Sequence, residues 1–175
     1  VGGRHSNALI IGDYSDGNDG LVLKGMKVGE LADATVNLVE FSVSHYLLAR
    51  CAQIKGFDMS RLELVNTADA DIPAVVESSD QVAAVSWNPM LMAIRGMDSA
   101  NVVCTSKDIP GEIIDMIVVG DEVSQAARDA IRAAWYETLA LIKAGDKVTL
   151  AALAEQAGSS VADFKAQLVT THMFY

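Results

Sequence analysis

The chain has 175 residues, of which 51% are hydrophobic and 21% charged. That is enough for one domain or a little more with a real core, and too apolar for a disordered chain. Thirteen Lys and Arg stand against 23 Asp and Glu, a formal net charge of −10. The balance argues against nucleic acid and anionic membrane surfaces as partners, because both need clustered cations.

Ala8–Gly12 is a short apolar run that predicts a buried strand, and residues 12–20, rich in Gly, Asp and Asn, predict a loop. Leu21–Leu23 reads as a second strand. Thr35–Val39 is a strand by its β-branched content. Ser42–Lys55 is an amphipathic helix, with Val43, Tyr46, Leu47, Cys51 and Ile54 at helical spacing and Gly56 closing it. A strand (62–65), a short helix from Asp71 to Glu77 and a strand (82–86) follow. Pro89–Arg95 is a short helix, Asn101–Cys104 a strand, and Ile113–Val119 a long apolar strand suited to burial on both faces. This alternation predicts a parallel α/β sheet with helices on both faces, and a ligand beyond the C-terminal strand ends.

From Asp121 onward the pattern is all helical. Asp121 is the expected N-cap of a helix reaching Ala144, with Ile131, Trp135, Leu139 and Ile142 as one apolar stripe. Thr149 and Ser160 are the expected caps of two shorter helices. Those two could be a helix-turn-helix, but the second offers Ser160, Asp163, Lys165 and Gln167, a single cation, which suits a plain helical hairpin better.

Cys51 and Cys104 show no metal spacing and read as two buried apolar thiols; a single disulfide stays open. His5, His45 and His172 form no ligand set, and no cofactor is expected. Asp13, Asp16 and Asp19 lack the register of a calcium loop, so a turn is the plainer reading. Nucleophile elbows and phosphate loops are absent from the sequence. No run approaches the roughly 20 apolar residues of a spanning helix. The first six residues have neither an initiator Met nor the charged and apolar regions of a secretory leader, so the chain is expected to be processed or a piece of a longer one.

Three strand-end turns hold the best candidates. Glu40, Ser42 and Ser44 join a strand to a helix N-terminus, where a serine caps and backbone N–H groups stay free. Trp87 and Asn88 supply a flat wall and a donor–acceptor amide, and Glu112 lies in the turn before the long strand. Alone, Glu40 suits a solvated acid and Trp87 a core aromatic; together the turns suggest one site, with Asp19 beside it.

Four segments, Glu40–Arg50, Asn66–Ile72, Ala84–Pro89 and Ile109–Asp115, resemble in that order the substrate-binding proteins of nitrate/sulfonate/taurine-type ABC importers. The nearest branch is the one associated with urea carboxylase. The resemblance covers nearly the whole chain. It implies an α/β, type II periplasmic-binding fold: one complete parallel lobe and the C-terminal helical part of another. Residues 1–24 would end lobe one and make a crossover, 25–108 would form lobe two, and 109–175 would return to lobe one. It further implies a fragment that captures a solute without catalysis in an interlobe cleft, a permease as partner, a periplasmic or lipid-anchored location, and a possible homo-oligomer. Asp19, Glu40, Ser42, Ser44, Trp87, Asn88 and Glu112 would line the site. Acids beside an aromatic wall favour a small planar nitrogen compound, urea or guanidinium-like, over an anion. The alternatives are an enzyme resembling the pyrimidine-precursor synthases of thiamin metabolism and a ligand-sensing regulatory domain.

Overall fold

A computed structural model describes residues 3 and 5–175. Val1, Gly2 and Arg4, part of the stretch inspected for a leader, lie outside the described residues. The chain forms two compact units, one of Ser15–Ile113 and one of the residues up to Tyr14 together with Ile114–Tyr175. The divisions at 14/15 and 113/114 differ from those expected after 24 and 108. The physical reason is burial: Leu21 and Leu23, with Ile109 and Ile113, belong to one core.

Strand β1 (Ser6–Ser15) leads into β2 (Asp19–Lys24), followed by β3 (Thr35–Leu38), α1 (Val43–Lys55), β4 (Glu63–Asn66), α2 (Ile72–Ser78), β5 (Val82–Trp87), α3 (Met90–Arg95) and β6 (Ala100–Thr105). The Ser15–Ile113 unit is built on a sheet of order β4-β3-β5-β2-β6. Strands β3, β4 and β5 are parallel, but β2 runs antiparallel to both β5 and β6. The sheet is therefore mixed, a correction to the parallel lobe expected. Alternating βα units account for the parallel strands; β2 enters from the other unit with no helix before it, so it arrives in the opposite sense.

Leu21 and Leu23 face α1 in one core with Leu47, Leu48 and Val85, while Val22 faces α2 and α3 in a second core with Ile72, Leu91 and Ile94. Burial on both faces explains why β2 reads as a continuous apolar run. Gly25 ends it at φ 66, where a Cβ would collide with the Asp80 carbonyl. Two expected caps hold: Ser42 opens α1 and Gly56, at φ 76, closes it.

The glycine- and aspartate-rich cluster expected as a loop is mostly strand. Only residues 16–18 bend between β1 and β2, because Ser106 Oγ accepts from the Gly17 amide at 2.8 Å and Asn88 N–H donates to the Asn18 carbonyl at 2.9 Å. Cys51 and Cys104 form a disulfide, against the reading of two thiols. Both are buried in the same core, which brings together residues 53 apart in sequence.

In the other unit, β7 (Ile114–Gly120) is followed by α4 (Gln125–Ala144), α5 (Lys147–Gln156), α6 (Val161–Val169) and β8 (Thr171–Met173). The sheet order is β7-β1-β8, with β7 antiparallel to β1. The last third is thus not all helical. Strand β7 is not buried on both faces either: Ile114, Met116 and Val118 are about half exposed, whereas Val119 packs with Leu9, Ile10 and the α4 side chains Ile131 and Trp135. An edge strand covered by helices on one face alternates. Helix α4 is capped by Ser124, not Asp121, and α5 by Asp146, whose carboxylate accepts from Thr149 N–H; Ser160 caps α6 as expected. No helix among the described residues is long and apolar enough to cross a membrane.

Closing a loop of this size by a disulfide removes entropy from the unfolded chain. The Cys51→Ala/Cys104→Ala double variant should lose about 2–4 kcal/mol of stability, measured by denaturant unfolding under non-reducing conditions.

Candidate functional site

In the Ser15–Ile113 unit the C-terminal ends of β3, β4, β5 and β6 share one edge, and β2 starts there. The register sets Asp19 opposite Trp87 and Gly20 opposite Thr105. Helix α1 begins at that edge after a tight bend in which Phe41 adopts φ 59 and leaves its ring 92% exposed. A left-handed backbone at a bulky residue is uncommon and marks a constrained turn. The turn is tied down on both sides: Asn66 Oδ1 accepts from Glu40 N–H at 3.0 Å, and Ser42 Oγ donates to the Val39 carbonyl at 2.7 Å. Ser42 Oγ also accepts from Ser44 N–H at 3.1 Å.

Ser44 lies in the first turn of α1. Its side chain is fully buried, and its hydroxyl has no hydrogen-bond partner. That first turn carries no acidic residue, so the positive end of the helix dipole is not neutralised by the helix's own side chains.

Six of the seven expected residues, Asp19, Glu40, Ser42, Ser44, Trp87 and Asn88, lie at this edge. Asp19 is buried and accepts from Ser15 Oγ at 2.5 Å. Ser15 and Ser106 hydroxyls lie 2.6 Å apart behind it, and Arg95 donates to the Gly17 carbonyl at 3.1 Å. Asn88 is buried and Trp87 half-buried, ahead of a cis peptide bond to Pro89.

Glu112 is engaged elsewhere. Arg50 grips it bidentately from α1, Nε to Oε2 at 2.6 Å and the guanidinium's other arm to Oε1 at 2.8 Å, while Tyr46 Oη donates to Oε2 at 2.6 Å. The Arg50 hydrogen bonds, then that of Tyr46, hold its carboxyl down at about 2. It fastens the 109–113 turn to α1.

Sequence reasoning missed Asp69. This acid follows β4 and accepts from Ser86 Oγ at 2.6 Å and from the Trp87 amide, while burial pushes its carboxyl up. The turn that carries it was visible, but nothing in the sequence shows which of Asp69 and Asp71 turns inward. A cavity of about 390 Å³ lies at the far end of α1, beside Val28, Gly56, Phe57 and Arg61. It contains none of the expected residues, and Arg61 is engaged there with Asp33.

A buried hydroxyl, a half-buried tryptophan and a helix N-terminus thus gather at the C-terminal strand ends, the place where α/β sheets hold ligands. No protein-family model and no curated protein matches the chain. Solved structures do. The periplasmic aliphatic sulphonate binding protein SsuA from Escherichia coli superposes with a TM-score of 0.80 at 17% identity, over 98% of this chain and 62% of that one. The alkanesulfonate-binding protein SsuA from Xanthomonas axonopodis pv. citri, bound to MOPS, gives 0.75 at 13% identity, over 97% and 62%. A ligand-binding component of an ABC-type import system from Staphylococcus aureus gives 0.74 at 13% identity, over 98% and 61%. The chain therefore has the fold of the binding components of ABC importers, and it spans about 62% of the length of the first two.

Glu112 is depressed in the folded chain, so its stabilising share is present above its unfolded value of 4.5 and fades as pH falls toward about 2. Glu112→Gln should remove that component: the variant's stability profile should be flatter than the parent's between those pH values, followed by thermal melts.

Proposed function

We propose that this chain is part of the solute-capturing component of an ABC importer and holds a small solute at the strand-end edge without transforming it. The observation that carries the reading is Ser44, a fully buried hydroxyl with no partner at an acid-free helix N-terminus. A buried polar group is costly until something bonds to it, and a bound solute supplies that bond. Trp87 offers an apolar wall, and Asp69, Glu40 and the Asn88 amide offer polar groups around it. The fold shared with sulphonate-binding proteins supports the same reading. A disulfide belongs to an oxidising compartment, which supports a location outside the cytoplasm. A membrane permease would then be the partner, and the whole protein would be longer than this chain.

The solute we favour is a small planar nitrogen compound with its own acceptor, such as urea. Its carbonyl would take the α1 N–H groups and the Ser44 hydroxyl, and its N–H groups would donate to Asp69 or Glu40. Guanidinium fits less well, because it has no acceptor for the helix and because Glu112 is already paired with Arg50. A second reading, an alkanesulfonate, is favoured by the acid-free first turn of α1, which suits an anion.

Calorimetric titration with urea, guanidinium, taurine and methanesulfonate tests these. Saturable urea binding supports the first reading, methanesulfonate binding the second, and silence toward all four rejects the site. In the variant Ser44→Ala, stability should hold or rise by about 1 kcal/mol while solute affinity falls about tenfold. Loss of stability with unchanged affinity would count against the role given to Ser44.

A further inference from the structure

The other compact unit contains a second polar feature that the solute site does not use. Asp13 and Asp115 are directly opposite each other on β1 and β7. Like charges in that relation destabilise a sheet unless something lies between them. A register irregularity between Ile11 and Asp13 turns the strand at this point. Asp13 is only 8% exposed, and its Oδ1 has no hydrogen-bond partner. A cavity of about 130 Å³ opens there, lined by Gly12, Asp13, Asp115, Met116, Ile117 and Trp135. The indole N–H of Trp135 is likewise buried without an acceptor. Gly12 permits this arrangement: a Cβ there would stand 3.0 Å from the Trp135 ring.

Asp13, Asp115 and Trp135 thus border one small, mostly apolar hollow. Leaving a carboxylate oxygen buried without a partner is expensive, and burial, then the Asp115 charge and a hydrogen bond with the Asp115 side chain, pushes the Asp13 carboxyl up to about 6. Two facing acids with no basic residue among the lining suit the hollow to a cation. The walls decide which kind. Among the described residues no group of three or more His, Cys, Asp or Glu could hold a metal ion, and Met116 and Ile117 stand where a hard cation would want oxygen. An indole wall suits a weakly hydrated organic cation.

We propose that this cavity binds a small primary ammonium compound carrying a neighbouring hydroxyl. Its ammonium donates to Asp13 Oδ1 and the Asp115 carboxylate, and its hydroxyl oxygen accepts from Trp135 Nε1–H. The exposed Asp115 marks the mouth, and Asp13 the floor.

The probe is 2-aminoethanol, with methylammonium, sodium chloride and calcium chloride as matched arms, added to the whole chain at neutral pH. The readout is the indole N–H resonance of Trp135, distinguished from that of Trp87 by its loss in Trp135→Phe. A saturable shift with 2-aminoethanol, weaker with methylammonium and absent with sodium or calcium, is the expected result. Asp13→Asn and Asp115→Asn should each weaken it about tenfold or more, because each removes a charge-assisted bond. An unmoved resonance in the parent chain overturns the proposal and leaves a hollow filled by water. An equal shift with sodium, a response to calcium alone, or a shift retained in both variants overturns it as well.

Discussion

Strand β2 fixes part of the strand-end edge. It is hydrogen-bonded along both edges, to β5 and to β6, and its Leu21, Val22 and Leu23 are essentially inaccessible to solvent. Burying side chains of that size contributes about 1.5–3 kcal/mol each, and the two ladders give its backbone groups partners on both sides. Such a strand cannot slip by one residue without exchanging its two cores. Its register therefore sets what stands at its first residues: Asp19 beside Trp87, and Gly20 beside Thr105. The 16–18 bend is then closed by Ser106, Asn88 and Arg95. Trp87 and Asp19 owe their common location to this pairing, whereas α1 and Asp69 are carried there by β3 and β4.

The polar groups considered for the candidate site divide by whether the protein has already used them. The Glu112 carboxylate is taken by Arg50 and Tyr46, and Asp19 is bonded to Ser15. Ser42 is taken twice, as acceptor from the helix and donor to the Val39 carbonyl. Ser44 has no such partner, and Asp69 is held beside the Trp87 amide with its carboxyl raised. A net charge of −10 thus says little about the charge a solute would meet, because Asp19 and Asp69 are bonded within the protein. The disulfide, on the core face shared by α1 and β6, ties that helix to an edge strand of the sheet.

Much of the fold was readable because its signals are local. Val36 and Leu38, the α1 pattern with its Ser42 and Gly56 caps, and the Val82–Trp87 run each carry a propensity or period that survives tertiary packing. What failed depends on partners far away in sequence. The sense of β2 is decided by the strands that receive it. The exposed face of β7 follows from its edge position, since an apolar run alone cannot tell burial on one face from two. The Cys51–Cys104 bond needs the distance between two elements 53 residues apart, which spacing does not reveal. The placement of the candidate residues was legible in part for the same reason: strand-end turns announce themselves, whereas the capture of Glu112 by Arg50 and the burial of Asp69 beside Ser86 are products of packing.

Backbone amide mapping tests the central claim directly. Two-dimensional spectra of the isotopically labelled chain, recorded with increasing urea and methanesulfonate at constant ionic strength and below denaturing concentration, report where a solute rests. The account predicts that saturable changes cluster at the amides of Phe41–Tyr46, Ala68–Asp71 and Trp87. Changes gathered instead around Val28 and Gly56–Arg61, or a uniform drift without saturation, would contradict it.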